Sequence, residues 1–390
     1  MRLFRYGEMR VVIGAIVGAL LASCTTAPMQ PSPASPVLDT PAVAFRNELA
    51  SFTPVPFSAL PGWAADDLQG VWQAWQANCS SARIPAKMQS ACAAARALGG
   101  NPPSQVLRFF FEQQFEPLLI QSLVQSTDSK NEGLLTGYYE PILKGSRTPS
   151  AQFPAPLYAR PADMLSSPSG DIARSRITGT GPGTGTAPYF SRAELTRGAA
   201  KPLMFVDDAV EALFMQIQGS GRIELPDGSQ VRMAYADNNG HPYKSIGRYL
   251  IDKGELRGDQ ASMQGIKGWA RRNPQRTDEL LNANPRVVFF KEEAIPDASV
   301  GPKGALGVPL VGKRSVAVDA RSVPLGSALW IDSTEPLSAT PLRTLVFAQD
   351  VGSAIVGAVR ADFYWGSGAV AGEAAGKTKQ PLKMYLLQPK

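Results

Sequence analysis

From Gly304 to Lys390 the chain is written as short apolar runs cut apart by Gly and Pro: Ser315 to Val318, Ala328 to Ile331, Thr344 to Gln349, Ile355 to Ala361 and Met384 to Leu387. Runs this short do not make core helices. Several strands separated by tight turns remove their exposed edges most simply by closing into a small barrel. With 36 Gly and 33 Pro in 390 residues the same punctuation recurs upstream, and a hydrophobic content of 44% is enough core for two domains. Asp350, in Ala348-Gln349-Asp350-Val351-Gly352, and Asp362, in Arg360-Ala361-Asp362-Phe363-Tyr364-Trp365-Gly366, lie at the edges of these runs, which read as strand, turn and strand.

The chain holds a single histidine, His241. Proton transfer near neutral pH therefore falls to carboxylic acids whose pKa is raised by burial, and an Asp partly buried among Phe363, Tyr364 and Trp365 meets that condition. Taken alone, two aspartates near turns are more often turn and capping residues.

At the other end, Arg2, Arg5 and Arg10 precede an apolar run, Val11 to Ala22, that is too short to span a bilayer and fits a signal peptide. It ends Leu21-Ala22-Ser23-Cys24, a lipobox in which Cys24 becomes the acylated N-terminus. Acylation at such a cysteine tethers a protein without a spanning helix. Thr25 stands where lipoproteins retained at the inner membrane carry Asp, so the expected location is the periplasmic face of the outer membrane. Residues 25 to 41, rich in Pro, Ala and Ser, read as an extended tether. The compartment is oxidising, and Cys79 and Cys92 are left either to bridge or to remain two buried thiols.

The formal charge of +6 falls to about +4 once Arg2, Arg5, Arg10 and Glu8 (net +2) leave with the signal. That excess permits a mild attraction to anionic polymers, and no basic stripe, P-loop or zinc finger points to nucleic acid. One histidine and two cysteines give no metal-ligand spacing. No cofactor is expected.

Between the ends, Asp66 to Asn78 and Pro102 to Phe115 have helical spacing, and Leu134 to Pro141 reads as a strand ending in a proline turn. Ser146 to Phe190 is poor in pattern, with a Gly/Thr/Pro loop from Thr178 to Thr186. Ala212 to Gly221 reads as an apolar strand running into a glycine turn, and Asp227-Gly228 as a hairpin. Helices are expected over Tyr243 to Lys253 and Ala261 to Arg271, and a strand over Val287 to Phe290.

The ordered set Thr136-Gly137-Tyr138-Tyr139-Glu140-Pro141, Gln216-Ile217-Gln218-Gly219-Ser220-Gly221, Asn239-Gly240-His241-Pro242-Tyr243, Asn284-Pro285, Gly307-Val308-Pro309-Leu310, Ser315 to Asp319 and Pro324-Leu325-Gly326, with the Asp350 and Asp362 segments, closely resembles the membrane-bound lytic murein transglycosylase A family. The resemblance runs from about Leu134 to the C-terminus. It implies a mainly β fold with peripheral helices: a double-psi β-barrel whose C-terminal part is a 3D domain, here with Asp319, Asp350 and Asp362, and an inserted, mostly β second domain with a groove between them. The expected organisation is 1–23 signal, 24–44 lipidated Cys and tether, 45–142 helices and first barrel segment, 143–302 insert, and 303–390 the rest of the barrel.

The resemblance also implies the chemistry, that of a carbon–oxygen lyase acting on the glycan strands of peptidoglycan. The β-1,4 bond between N-acetylmuramic acid and N-acetylglucosamine is cleaved with a 1,6-anhydro ring left on the muramic acid, in cell-wall turnover and remodelling. Asp362 matches the proton donor and acceptor, and Asp350 the electrostatic support. Thr136 and Tyr138 border the groove from the barrel, and Gln218, Ser220 and Gly221 from the insert. Glu211, where relatives carry Asp, is assigned to the same wall. Arg286 replaces a small polar residue, and His241 reads as structural or groove-edge. Partners are peptidoglycan and outer-membrane lipid, and the sequence identifies none among cell-wall synthesis or division proteins. Two other classes remain open: a hydrolase on the same barrel, with Asp350 activating water at a carboxyl separation of roughly 6.5–9.5 Å, and a non-catalytic peptidoglycan-binding lipoprotein.

Overall fold

The computed structural model describes residues 43–68, 70–124, 130–166, 174–179 and 184–390. The signal segment, Cys24, the tether and part of the Gly/Thr loop lie outside the described residues. Numbered along the chain, the first block comprises β1 (Phe45–Arg46), β2 (Ala50–Pro54), helices α1 (Val71–Ser80), α2 (Gln89–Ala95) and α3 (Ser104–Gln114), and β3 (Phe115–Ser122). After β4 (Gly133–Glu140) comes a long excursion: β5 (Ile142–Ser146), β6 (Ala155–Tyr158), β7 (Met164–Ser166), β8 (Arg174–Thr178), β9 (Gly185–Pro188), β10 (Pro202–Val206), α4 (Ala209–Gln218), β11 (Gly221–Glu224), β12 (Gln230–Asn238), α5 (Ile246–Asp252), α6 (Met263–Arg272), α7 (Thr277–Asn282) and β13 (Val288–Ala294). The chain ends with β14 (Ser315–Val318), β15 (Ala328–Thr334), β16 (Pro341–Asp350), β17 (Arg360–Ser367), α8 (Gly368–Lys377) and β18 (Lys379–Pro389).

Six of these strands close on themselves. The order β18-β15-β16-β14-β17-β4 is completed by pairing of β18 back onto β4, with β14 parallel to β16 and β17 parallel to β4. The barrel is thus built from one strand before the excursion and five after it, the mainly β architecture expected from the turn-punctuated C-terminal sequence. The excursion carries its own sheets, β13-β12-β11-β5-β10-β6 and β7-β8-β9.

Alternation along each barrel strand separates two faces. Leu135, Val316, Val318, Val346, Ala348, Ala361, Phe363, Trp365 and Met384 fill the barrel interior. On the outside of β15, β16 and β18 lies a second core, where Trp330, Phe347 and Leu387 meet the first three helices. Trp75 anchors it, fully buried with ring centroids 5.8 Å from Phe111, 5.7 Å from Phe115 and 5.8 Å from Phe347. Such edge-on and tilted aromatic packing contributes beyond the area it buries. Cys79 and Cys92 form a disulfide between α1 and α2, with Cα atoms 5.5 Å apart.

Two sequence-based expectations are corrected. Ala212 to Ile217 is helical, not a strand: α4 is buried at Val210 and from Ala212 to Gln216, so its apolar residues form a continuous run without a visible 3.6-residue period. Its ends were nonetheless marked. The Asp208 carboxylate accepts the Val210 and Glu211 N–H groups at 2.7 and 3.1 Å, and Gly219 stops the helix in the left-handed region at φ 86°. The strand expected over Ile355 to Ala361 instead starts at Arg360. Ile355, Ala358 and Val359 are buried from a turn that folds back on the barrel, so their hydrophobicity reports burial without extended pairing.

The disulfide gives a direct test of how much the helical block relies on chain constraint. It spans a sequence separation of 13 residues, for which loop-closure entropy corresponds to about 3 kcal/mol. The Cys79→Ser/Cys92→Ser variant is expected to lose close to that amount in urea unfolding while the barrel's spectroscopic signature is retained below the midpoint. An unchanged midpoint would show that the helices are held by packing around Trp75 alone.

Candidate active site

Strand register assembles the site. Asp362 on β17 pairs with Ala317 on β14 and with Thr136 on β4, and Ala317 in turn pairs with Asp350 on β16. These four residues form one row across four neighbouring strands. Asp350 and Asp362 are therefore two strand spacings apart, roughly 9–10 Å between Cα atoms, with the small Ala317 side chain leaving the space between them open. Asp362 points away from the barrel interior, flanked along β17 by inward-facing Ala361 and Phe363. The aromatic neighbours expected to bury it divide accordingly: Phe363 and Trp365 face the core, and only Tyr364 shares the outer face, in a cluster with Tyr138, Leu310, Ala317 and Ile355.

A bulge sets Asp350. Between Val316 and Ala317 the β14–β16 register slips, and the residue stepped over is Gln349. Gln349 is fully buried beneath α1 on the outside of the barrel: its Oε1 accepts from Ser315 Oγ at 2.6 Å and its Nε2 donates to Ala74 O at 3.1 Å. With Gln349 fastened to β14 and α1, Asp350 turns outward. Gly137 serves the same row from β4. A Cβ there would stand 2.6 Å from Trp365 Nε1 and 2.8 Å from Thr378 Oγ1, so only glycine lets β4 lie against the Trp365–Thr378 hydrogen bond of 2.9 Å.

The two carboxylates are treated differently. Asp350 is held at both oxygens: Oδ1 accepts the Ala305 and Val351 N–H groups at 3.0 and 2.9 Å, and Oδ2 accepts the Tyr138 hydroxyl at 3.1 Å. Asp362 Oδ1 accepts the Thr136 hydroxyl at 2.5 Å, and Oδ2 takes no hydrogen bond among the described residues. Both lie deep in the protein yet keep part of their surface open, the signature of a recess. Burial raises both pKa values, pushing Asp350 to about 6 against its three hydrogen bonds, with the Asp362 charge adding to the rise. Burial likewise raises Asp362, opposed by the Thr136 hydrogen bond and by the Arg360 guanidinium. The Tyr138 hydroxyl is pushed well up by burial and by the two carboxylates, and so remains a donor.

The insert-side residues fall less uniformly. Gln218, at the end of α4, reaches across to β4, where its Oε1 accepts the Tyr139 N–H at 3.0 Å. It lines a cavity of about 200 Å³ with Gly137, Tyr139, Phe214, Ile217 and Tyr243, on the face of β4 opposite Thr136 and Tyr138. Ser220 is half-buried in the turn between α4 and β11. Gly221, expected to line the groove, is buried, and a Cβ on it would lie 2.3 Å from Met215 Cε, so its role is packing. Glu211, assigned to glycan contact, is held by Lys267 at 2.6 Å. His241 is structural: its Nε2 bonds Tyr189 O at 2.7 Å and its carbonyl accepts from Arg286. Asp319 ties the turn after β14 to the one before β17 by accepting Arg321 and Gly357 N–H groups at 3.1 and 2.9 Å.

Comparisons with known proteins bear on the family and the fold. The MltA specific insert domain matches residues 134–291 and the 3D domain matches residues 314–388. The membrane-bound lytic murein transglycosylase A of Escherichia coli K12 is 35% identical over 275 residues, 68% of each chain. The chain belongs to the membrane-bound lytic murein transglycosylase A family. Among solved structures, MltA from Neisseria gonorrhoeae is 35% identical with a TM-score of 0.74, covering 90% of this chain and 96% of that one. E. coli MltA with bound chitohexaose is 28% identical with a TM-score of 0.64, covering 87% and 94%.

Within this MltA fold, sequence reasoning passed over Gln349, Arg360 and Glu140. Each had a signal: a polar or charged residue inside an otherwise apolar strand, where burial without a partner is costly. None could be interpreted without the partners, which come from residues distant in sequence.

The raised Asp350 pKa makes a stability prediction. A carboxyl whose folded pKa is about 6 against an ordinary 3.8 binds its proton more tightly when folded. Its penalty is absent below about pH 4 and grows as pH rises through 6, approaching 3 kcal/mol as an upper bound. Asp350→Asn never carries that penalty. Urea unfolding is expected to show the variant more stable than wild type at pH 7.5, with the gap closing below pH 4. A gap independent of pH would mean that Asp350 is not held in a charge-disfavouring site.

Proposed function

We propose that this chain is a peptidoglycan lytic transglycosylase that cleaves the β-1,4 bond between N-acetylmuramic acid and N-acetylglucosamine and leaves a 1,6-anhydro muramic end. The observation that carries the reading is the asymmetry of the two carboxylates. Among the described residues Asp362 takes one hydrogen bond and keeps Oδ2 open on a face rimmed by Tyr138 and Tyr364, whereas Asp350 takes three and is held at both oxygens.

In the reaction, protonated Asp362 gives its proton to the glycosidic oxygen as the bond to the anomeric carbon breaks. Positive charge then develops on the muramic ring, and the fixed Asp350 carboxylate, still ionised at neutral pH, stabilises it. The C6 hydroxyl of the same sugar attacks the anomeric carbon, and its proton passes to the Asp362 carboxylate, restoring the acid. The attacking oxygen is already attached to the substrate, so its approach is intramolecular and needs no second group to hold water. A hydrolase reading would use Asp350 to activate water, whereas its three hydrogen bonds from Tyr138, Ala305 and Val351 favour the ionised form and suit a fixed electrostatic group. Thr136 orients Asp362, Tyr138 orients Asp350, and Ser220 lies on the insert side as a polar group that suits sugar hydroxyls, whereas Gln218 serves to fasten α4 to β4 through the Tyr139 N–H.

The same proposal covers organisation and place. The insert runs from about residue 143 to 302 and stands beside the barrel as the second wall of the groove. Cys24, acylated, anchors the enzyme in the outer membrane on its periplasmic side, with residues 25–41 as the spacer; the relatives' names carry the words membrane-bound, and no helix among the described residues is long and apolar enough to cross a bilayer.

Three outcomes are expected. Asp362→Asn lowers kcat on purified sacculi by at least about 10³-fold, the scale of a general acid used twice, while sedimentation with sacculi is retained; solvent ¹⁸O does not enter the new muramic termini of wild-type digests. Heavy oxygen at those termini would make water the nucleophile. Cys24→Ser is expected to move the protein from the outer-membrane fraction to the soluble periplasm, and persistence in the membrane would remove the lipid anchor from the account.

A further inference from the structure

Glu140, the last residue of β4, is fully buried. Its Oε2 accepts Arg222 Nε at 2.7 Å and its Oε1 accepts Arg232 Nε at 2.6 Å. The two guanidinium groups go on to donate to Ala298 O at 2.8 Å and Val300 O at 2.6 Å. One carboxylate thus joins a barrel strand to β11 and β12 of the insert and to the segment that returns to the barrel. The network does not stop there. Ser367 Oγ, at the end of β17, donates to Glu140 Oε2 at 2.7 Å and lies 3.3 Å from the Tyr364 hydroxyl. The Tyr364 ring packs on Tyr138 with centroids 5.2 Å apart, and Tyr138 donates to Asp350.

We propose that the Glu140–Arg222–Arg232 triad is a positioning device for the lytic reaction, acting through Ser367, Tyr364 and Tyr138 to hold the hydrogen bond that fixes Asp350. Glu140, Ser367 and Tyr364 are positioning residues: none touches the reacting bond. Tyr364 is rotationally fixed at both ends, its hydroxyl toward Ser367 and its ring against Tyr138. Burial and the nearby Glu140 charge push its pKa up, so it remains a neutral donor throughout the working range. The groups facing Asp350 are the Tyr138 hydroxyl from β4, Asp362 from β17 and the Ala305 and Val351 amides, and of these only Tyr138 has a side chain connected to the triad.

The inference rests on the functional reading above, because turnover is its readout. Ser367→Ala and Tyr364→Phe remove one link each without removing a charge. Each is expected to lower kcat about three- to tenfold, the span of one hydrogen bond, with KM within twofold. Each should also move the acidic limb of the kcat–pH profile upward, because Asp350 loses a bond that favours its ionised form; Tyr138→Phe should move it the same way and further. The position of that limb does not depend on what fraction of the enzyme is folded, so it decides even where a variant loses stability. Wild-type kcat and an unmoved limb in both variants, or a change confined to KM, would overturn the inference. If wild type itself released no anhydro ends, the functional reading would fall instead.

Discussion

The structure depends on one charge taken out of water. A carboxylate as deeply buried as Glu140 is tolerated only because two arginines and a serine reach it with short hydrogen bonds, and the arginines are themselves satisfied by the Ala298 and Val300 carbonyls. Removing Glu140 leaves two buried guanidinium groups without their counter-charge, which is far more damaging than replacing the whole set. That asymmetry makes the triad an all-or-nothing junction between barrel and insert. β4 is the strand on which it acts, and β4 also supplies Thr136 and Tyr138, the donors to the two acidic groups.

The acidic row works against stability for a chemical reason. Two carboxylates on adjacent-but-one strands, in a recess walled by Tyr138, Ile355, Leu310 and Tyr364, are both raised in pKa by loss of water, and the Asp362 charge adds to the rise of Asp350. The fold accepts this because the row is held from behind. Gln349 pins β16 to α1, Asp319 pins the turns at either side of the site, and Trp75 packs the helical block against the outer face of the same strands. The N-terminal helices are therefore part of the site's support, although they contribute no residue to it.

Legibility in the sequence followed how local each signal was. The barrel was readable because strand length and turn residues are local properties, and β14, β15, β16 and β18 begin or end near the expected positions. Asp362 and Asp350 stood out as candidates because a chain with one histidine has few other ways to move a proton. Their arrangement was not, since it comes from register: a row running Asp350–Ala317–Asp362–Thr136 joins residues far apart in sequence. The helix α4 was misread because burial on nearly all sides erased its period, although Asp208 and Gly219 marked both ends. Glu140 was hidden in a motif whose tyrosines drew the attention, and its arginines lie 82 and 92 residues away.

The position of the insert then has a physical reading. It leaves the barrel just after Glu140 and returns through the residues whose carbonyls the triad arginines hold, so exit and return are fastened at the same buried carboxylate. A domain attached at one fixed point transmits its placement to whatever lies next to that point. Here the neighbours are Ser367 and Tyr364 on β17, on the same strand as Asp362 and only a few residues beyond it. Under the proposed lytic reading, a glycan held against the insert is thereby referred to the strand that carries Asp362, and the angle at which the sugar's own nucleophile approaches is governed by how that strand and the insert are joined.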